Sequence, residues 1–374
     1  MKRFLPISTV FLYTTVNAIA HGHPHIRSPD SSLDRPTTIP DLIHSILPDL
    51  NFDNDIPESE SHPPATSNPD TAPTPETIIL PPGLGYTLTW HDEFTPRKQS
   101  LYSTNNEEDT SQAYLSQKWT ILTGTSYPTG APNWGNNELQ SYTTSPANIL
   151  ITSSKTLLIT PRHNPQSNTW TSARLETTST SFSASVGGKL YIESRLRTGC
   201  APANNQKGIW PAFWALGAEF RNDPTFWPMS SEWDFMEVVN GEPVVYHNLH
   251  CGGVEHKDAG GGPCNEFTGV VSPGTDWGCG WHVVGFEVDR SGSGSGEDWE
   301  EEVLRWFVDG EETWRVSGGQ IGDEEIWESI AHQGHFLLLN VAVGGNWPGY
   351  PDENTVDGEE VGLEVDYVRV WNAD

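Results

Sequence analysis

The sequence predicts an all-β fold in which two antiparallel sheets pack face to face. From about residue 84 to the end, strand-like runs alternate with turn signals, and few stretches show the period of a helix. Asp309-Gly310 lies between two such runs and is a hairpin signal. Many short strands with few helices favour a two-sheet sandwich. The runs that we expect to be strands are 86–90, 148–152, 156–161, 190–196, 283–288, 303–308, 336–343 and 363–371.

The first 83 residues differ in composition from the rest. Residues 1–20 have a charged start, an apolar stretch and the small-residue site Ala18-Ile19-Ala20, which together indicate a secretory signal peptide. Residues 21–83 are rich in Pro, Ser, Thr and Asp and cannot bury a core, so we expect a disordered linker or pro-segment. Within it, 39–52 has apolar residues at near-helical spacing and is expected to form a transient helix. One folded domain is expected over 84–374.

The charge balance limits the partners of the chain. There are 20 Lys and Arg against 50 Asp and Glu, a formal net charge of -30. Such a chain repels phosphate backbones and anionic membranes, so we expect neither nucleic acid nor a membrane as partner. No further apolar run after the signal peptide has the length of a membrane span. We therefore expect a secreted, extracellular protein.

Four cysteines, Cys200, Cys251, Cys264 and Cys279, lie in the second part of the chain. An even number in a secreted chain indicates two disulfides, for which three pairings exist. We favour Cys251–Cys264, which closes a glycine-rich loop, together with Cys200–Cys279. The alternative is a zinc site, which no closely spaced cysteine pair supports.

One stretch carries three carboxylates within an apolar run: Glu232, Asp234 and Glu237. Alternate residues of a strand share a face, so Glu232 and Asp234 point the same way, whereas Glu237 is at an odd offset. A β-bulge at Phe235-Met236 would return Glu237 to that face, and bulges are frequent beside active sites. Glycosidases use a pair of carboxylates, so the stretch predicts a catalytic pair. The alternative, a solvated acidic edge, is disfavoured because aromatic residues interleave with the acids.

The spacing Glu232-x-Asp234-x-x-Glu237 resembles the signature of glycoside hydrolase family 16, in the bulged form of its laminarinase-like members. Segments 249–251 and 262–266 are similar to secreted fungal members. The resemblance covers about 84–374. Further motifs that resemble the family, in the expected order, are 90–94, 133–140, 171–175, 209–214, 340–349 and 365–371.

This resemblance implies a β-jelly roll with a concave carbohydrate-binding cleft and retaining endo-hydrolysis of β-1,3- or mixed β-1,3(4)-glucans. Glu232 looks like the nucleophile and Glu237 like the general acid/base, with Asp234 between them to tune protonation. Retention requires the two carboxyl groups to be about 5–5.5 Å apart. The family needs no cofactor, although Asp366 resembles an acid that holds a structural calcium in some relatives. We expect a monomer that binds β-glucan, extracellular or associated with a cell wall.

The resemblance also implies substrate contacts. Arg174 resembles a cleft arginine that bonds sugar hydroxyls, with pairing to a surface acid as the alternative, and His250 resembles a residue near the leaving group. Asn137 and Glu138 are expected at the distal sites. For Trp210, core packing is a real alternative to sugar stacking, so it is ranked below the other tryptophans of the cleft. The predicted substrate-binding residues are Trp134, Asn137, Arg174, Trp214, Trp227, His250 and Trp347.

The chain departs from the family pattern in three places. Ser231 stands where the family has glycine, and Trp233 and Phe235 are bulkier than the common aliphatic residues; these changes are expected to alter packing and not roles. The third departure is 252–263 and 291–302, expected to be extra loops that reshape the acceptor side. A cell-wall transglycosylase on the same scaffold is therefore an alternative to a hydrolase. A non-catalytic glucan-binding protein is a further alternative, disfavoured because all three carboxylates are present.

Overall fold

The computed structural model describes residues 85–96, 107–252, 263–265, 268–292 and 298–374, except for the side chains of 107–110. The predicted signal peptide and linker, including 39–52, lie outside the described residues and stay predictions. No helix in the described ranges has the length and apolar character needed to span a membrane.

Strands dominate the described chain. The helices are few and short: α1 Glu107–Leu115, α2 Glu219–Asn222, α3 Gly318–Ile321 and α4 Glu324–Ala331. The strands are β1 Thr87–Asp92, β2 Trp119–Leu122, β3 Gln140–Tyr142, β4 Ile149–Ile151, β5 Leu157–Ile159, β6 Arg162–Asn164, β7 Thr169–Ser172, β8 Arg174–Thr177, β9 Lys189–Thr198, β10 Ile209–Gly217, β11 Glu232–Glu237, β12 Val244–His250, β13 Val270–Val271, β14 Thr275–Asp276, β15 His282–Asp289, β16 Val303–Val308, β17 Glu311–Ser317, β18 His335–Val343 and β19 Leu363–Ala373.

Two large antiparallel sheets form the predicted sandwich. The front sheet has the order β13-β12-β11-β10-β18-β8-β2, with β14 beside β12. The back sheet has the order β17-β16-β15-β9-β19-β5-β4, with β1 beside β19. A small third sheet joins β3, β7 and β6. All of the expected strands are present.

The hairpin signal is also confirmed. Asp309 and Gly310 connect β16 to β17, and both have positive φ, 53° and 88°. A two-residue turn of this kind needs positive φ at both positions, which explains the Asp-Gly pair.

The core lies between the two sheets and uses the inner face of β11. Trp233 and Phe235 are fully buried, and each ring centroid lies 4.8 Å from that of Phe286 in β15. Full burial of such a side chain stabilises the fold by about 1.5–3 kcal/mol. β11 is therefore fixed by the core on its inner face.

Both favoured disulfides are present. Cys251 is bonded to Cys264 and Cys200 to Cys279. All four cysteines are used in these bonds, so none is available as a zinc ligand.

The loop between β15 and β16 is anchored at its end by a buried acid. Glu302 is 0% exposed and accepts from Arg290 Nε at 2.9 Å and from Trp327 Nε1 at 2.8 Å. His332 Nε2 lies 2.5 Å from the same carboxylate. Burial alone would raise the pKa of Glu302, but the bonds from His332, Arg290 and Trp327 lower it to about 2. The expected extra loop thus returns to a rigid anchor.

Candidate active site

The catalytic strand contains the predicted bulge. In the register of β11 with β10, Trp214 is opposite Asp234, and the preceding residue Phe213 is opposite Met236. Phe235 is therefore the extra residue that the ladder skips. An extra residue restores the phase of a strand, so the acid at an odd offset returns to the outer face.

The burial of the β11 side chains agrees with a bulge at this position. Trp233, Phe235 and Met236 all belong to the buried core, so two consecutive residues turn inward at the bulge. Glu232 is partly exposed, and Glu237 interacts electrostatically with it. The two acids of the predicted pair therefore lie on the same outer face of the front sheet.

Glu232 lies at the start of β11 beside Trp227. Trp227 Nε1 donates to Glu232 Oε2 at 2.8 Å, so the predicted stacking residue also holds the predicted nucleophile. Ser231 precedes it with φ of 66° and no exposed surface. A left-handed backbone costs a residue with a Cβ about 1 kcal/mol, which explains why glycine is usual here and why serine is a departure.

Glu237 lies beyond the bulge and is only 6% exposed. Trp210 Nε1 donates to Glu237 Oε1 at 3.1 Å. Burial is the main cause that raises the pKa of Glu237, and the charge of Glu232 raises it further. His250 and the Trp210 bond lower it, and the result is a pKa of about 8. Glu237 is thus held protonated at neutral pH, which a general acid requires.

His250 on β12 is opposite Glu232 in the ladder. Its Nε2 lies 3.7 Å from Asp234 Oδ2 and 2.9 Å from Asn248 Nδ2, and its ring is 5.4 Å from that of Trp227. The structure thus brings together Asp234 and two of the predicted substrate-binding residues beside Glu232.

Metal ligation can be tested against these side chains. One ligand atom from each of Glu232, Asp234 and His250 lies within 4.8 Å of the others, a spacing that a metal ion could bridge. Asp366 Oδ2 instead lies 3.0 Å from Arg195 Nη1 in an ion pair. A calcium ion at Asp366 would compete with that guanidinium, and the calcium hypothesis stays untested.

Arg174 on β8 is enclosed by aromatic rings. Its guanidinium lies 4.7 Å from the Trp214 ring, 4.8 Å from the Trp134 ring and 5.0 Å from the Tyr127 ring. It is 4% exposed, donates to Tyr127 Oη and pairs with buried Glu176 at 3.3 Å. The acid that it pairs with is therefore an internal one, and Arg174 supports two of the predicted sugar-binding indoles from behind.

Trp214 is held by a second internal chain. Its Nε1 donates to Asn340 Oδ1 at 2.7 Å, and Asn340 Nδ2 donates to Tyr142 Oη at 3.1 Å. Glu138, expected at a distal sugar site, is 7% exposed and accepts from Gln140 Nε2 at 2.5 Å. Its side chain therefore belongs to the wall behind the site.

The remaining predicted contacts lie at one end of the outer face. Asn137 is exposed and donates to Asn346 Oδ1 at 2.8 Å. Trp347 is partly exposed and meets Trp210 edge to face, with ring centroids 5.5 Å apart. The ring centroid of Tyr246 lies 5.6 Å from that of Trp347.

Sequence reasoning ranked Trp210 below the other tryptophans, with core packing as the alternative, and did not predict its bond to Glu237. Trp210 is half-buried and donates to that carboxyl. The signal was available, because Trp210 and Trp214 are four residues apart on one strand and must share a face.

The comparisons with known proteins agree with this geometry. The β-glucanase of Rhodothermus marinus is 31% identical over 297 residues, which cover 76% of this chain and 84% of that protein. The glucan endo-1,3-β-glucosidase of Cryptopygus antarcticus is 27% identical over 306 residues, covering 76% and 92%. No protein-family model matches the chain.

Solved structures give the same answer. The endo-1,3-β-glucanase of Streptomyces sioyaensis is 36% identical, with a TM-score of 0.66 over 78% of this chain and 98% of that one. The endo-β-1,3-glucanase of Pyrococcus furiosus is 28% identical, with a TM-score of 0.53 over 77% and 95%. With its β-sandwich and its bulged carboxylate strand, the chain belongs to glycoside hydrolase family 16, the jelly-roll family of the laminarinases.

Proposed function

We propose that the chain is a secreted, retaining endo-glucanase that hydrolyses β-1,3- or mixed β-1,3(4)-glucans. The observation that carries the proposal is the bulge, because it places Glu237 on the face of Glu232. Glu237 has a raised pKa, as a proton donor needs. The printed names of the relatives, β-glucanases and endo-1,3-β-glucanases, support the substrate class.

In this proposal the reaction has two displacements. The Glu232 carboxylate attacks the anomeric carbon, while the Glu237 carboxyl gives its proton to the departing glycosidic oxygen. The covalent glycosyl ester on Glu232 is then opened by water, whose proton goes to the Glu237 carboxylate. The negative charge of Asp234, between the two glutamates, disfavours ionisation of both at once, so the three carboxyl groups share a proton.

The aromatic side chains on the outer face supply the proposed glucan contacts. Trp134 and Trp214 lie on the side of β8 and β10, and Trp347 adjoins Trp210 beside Glu237. Flat indole faces suit the apolar faces of glucose rings. The linkage preference would follow from how these rings are angled along the glucan.

An extracellular location is part of the proposal. The two disulfides fit an oxidising compartment, and residues 1–20 have the pattern of a signal peptide. Association with a cell wall is proposed because β-glucans are wall polymers. We also propose that the enzyme acts as a monomer on this substrate.

The test is azide rescue combined with the stereochemistry of the product. Glu232→Gln should abolish release of reducing sugar from laminarin and lichenan. Glu232→Gly with azide should regain turnover and form the inverted glycosyl azide, while the wild type gives a product of retained configuration by NMR. Near-normal activity of Glu232→Gln on laminarin would contradict the assignment. Products longer than the substrate would identify a transglycosylase instead.

A further inference from the structure

The bulge that aims Glu237 faces a single residue on the neighbouring strand. In the register of β11 with β12, Asp234 pairs with Asn248, and Glu237 pairs with Tyr246. His247 is the residue between them, so it alone is opposite the two bulged positions. A bulge leaves an extra residue outside the ladder, and its backbone groups need other partners.

His247 supplies such a partner. Its side chain is fully buried, and Nδ1 lies 2.8 Å from the backbone oxygen of Phe235, the residue that the β10 ladder skips. A carbonyl only accepts, so Nδ1 carries the proton and donates. Nε2 is then the acceptor, and Thr313 Oγ1 lies 2.9 Å from it.

The protonation state of His247 supports this arrangement. Burial lowers its pKa to about 4, although the Phe235 bond raises it. The ring is therefore neutral at working pH, with one N–H and one acceptor nitrogen. The Phe235 carbonyl, which can only accept, fixes the proton on Nδ1, and Thr313, on β17 of the back sheet, contacts the other nitrogen. The bulge is thus connected through His247 to the second sheet.

A second donor holds the preceding carbonyl. Trp306 Nε1, from β16, donates to the backbone oxygen of Asp234 at 2.9 Å. The consecutive carbonyls of Asp234 and of the bulged residue Phe235 therefore both accept from buried side chains. Because both donors belong to rigid strands, the backbone that carries Glu237 has a fixed path.

Another buried histidine contacts the same strand before the bulge. His335 is fully buried, stacks on Trp233 with ring centroids 3.4 Å apart, and its Nε2 lies 3.3 Å from Ser231 Oγ. It borders Glu232 and lies on the other side of the bulge from Glu237. It is therefore a matched comparison for His247.

We propose that His247 is a positioning residue for the proton-transfer step: its bond to the Phe235 carbonyl fixes the bulge and so holds Glu237 at the glycosidic oxygen. The inference rests on the proposed function. It predicts that loss of the bond impairs protonation of the leaving group more than it impairs the attack by Glu232.

The test compares two substrates that differ in their need for a proton. Laminarin has a poor leaving group, whereas dinitrophenyl β-laminaribioside has one that departs without protonation. His247→Leu removes the donor, and His247→Asn keeps an N–H near the position of Nδ1. We expect His247→Leu to lower kcat/KM on laminarin by about 10²-fold, within the range for a lost general acid, and to leave the aryl substrate nearly unchanged. His247→Asn should restore most of the laminarin activity.

Two further variants keep the result decisive. Thr313→Val retains the side-chain volume but removes the hydroxyl, so it should give the same selective loss to a smaller extent, even where His247→Leu fails to fold. His335→Leu should lower kcat/KM on both substrates by the same factor. His335 contributes to folding and borders Glu232, whose attack both substrates require.

Equal losses on the two substrates for His247→Leu and Thr313→Val would overturn the role of His247. That outcome differs from failure of the proposed function, in which Glu232→Gln would remain active on both substrates.

Discussion

Glu237 and Glu302 are buried to a similar degree, 6% and 0% exposed, yet their pKa values shift in opposite directions. Burial raises the pKa of Glu237 to about 8, and only His250 and one indole N–H oppose it. Burial acts on Glu302 as well, but bonds from His332, Arg290 and Trp327 outweigh it and lower its pKa to about 2. The stronger desolvation of Glu237 and the larger number of donors to Glu302 together separate a buried acid from a buried anchor.

The largest expected effect comes from removing the acid. Glu237→Gln should lower kcat on laminarin by about 10²- to 10⁴-fold, because proton donation is lost. Its free energy of unfolding at pH 7 should rise by up to about 3 kcal/mol, because folding must keep protonated a carboxyl that is ionised in the unfolded chain at that pH. Laminarin turnover and urea unfolding are the measurements. A loss of stability in this variant would contradict the comparison.

The same substitution at Glu302 should have the opposite effects: it should lower stability and leave activity unchanged. Glu302→Gln removes the buried carboxylate that pairs with Arg290, so the free energy of unfolding should fall by about 3 to 5 kcal/mol. Specific activity of the folded enzyme should stay at the wild-type level. Urea unfolding monitored by tryptophan fluorescence, with activity normalised to folded protein, tests both statements. A loss of specific activity with an unchanged free energy of unfolding would show that Glu302 serves the active site and not the stability of the fold.

The pH dependence should separate the two residues further. As pH rises through the raised pKa of Glu237, the proton is lost and laminarin hydrolysis should decline, while an aryl substrate with an excellent leaving group keeps its rate. The stability that Glu302 contributes is present above its unfolded pKa and is lost as pH falls towards about 2. Rate profiles on both substrates and unfolding at several pH values check this. An alkaline decline shared by both substrates would assign it to another group.

The smallest effect should come from the donor on Glu237. Trp210→Phe keeps an aromatic ring but removes the N–H at 3.1 Å, so the pKa of Glu237 should rise further. The alkaline limb on laminarin should move upward by about two pH units at most, since one bond to a charged group is worth about 1.5–3 kcal/mol. Trp347→Phe, which lacks a bond to Glu237 among the described contacts, is the control. A downward shift would mean that the indole does not favour the ionised acid.

Local patterns in the sequence predicted the strands, the hairpin and the bulge. An odd offset between acids that must share a face leaves few alternatives to a bulge, and alternating runs predict strands because side chains alternate. The aromatic contacts of Arg174 could not be predicted, because Tyr127 and Trp134 belong to a loop that is far from β8 along the chain. The same holds for Glu302, whose partners include a helix residue, Trp327. Such contacts join segments that are far apart along the chain, and the local patterns of a single sequence do not predict which of these segments come together.

The two disulfides also give the molecule a covalent topology. Cys251–Cys264 closes a small ring of sequence separation 13, and it lies inside the larger ring that Cys200–Cys279 closes over a separation of 79. The larger ring contains β10, β11 and β12, and with them every carboxylate of the proposed mechanism. A single peptide-bond cut anywhere between Cys200 and Cys279 therefore leaves these three strands covalently attached to both ends of the chain. Cleavage of the backbone in this part of the chain and loss of a fragment are thus separate events.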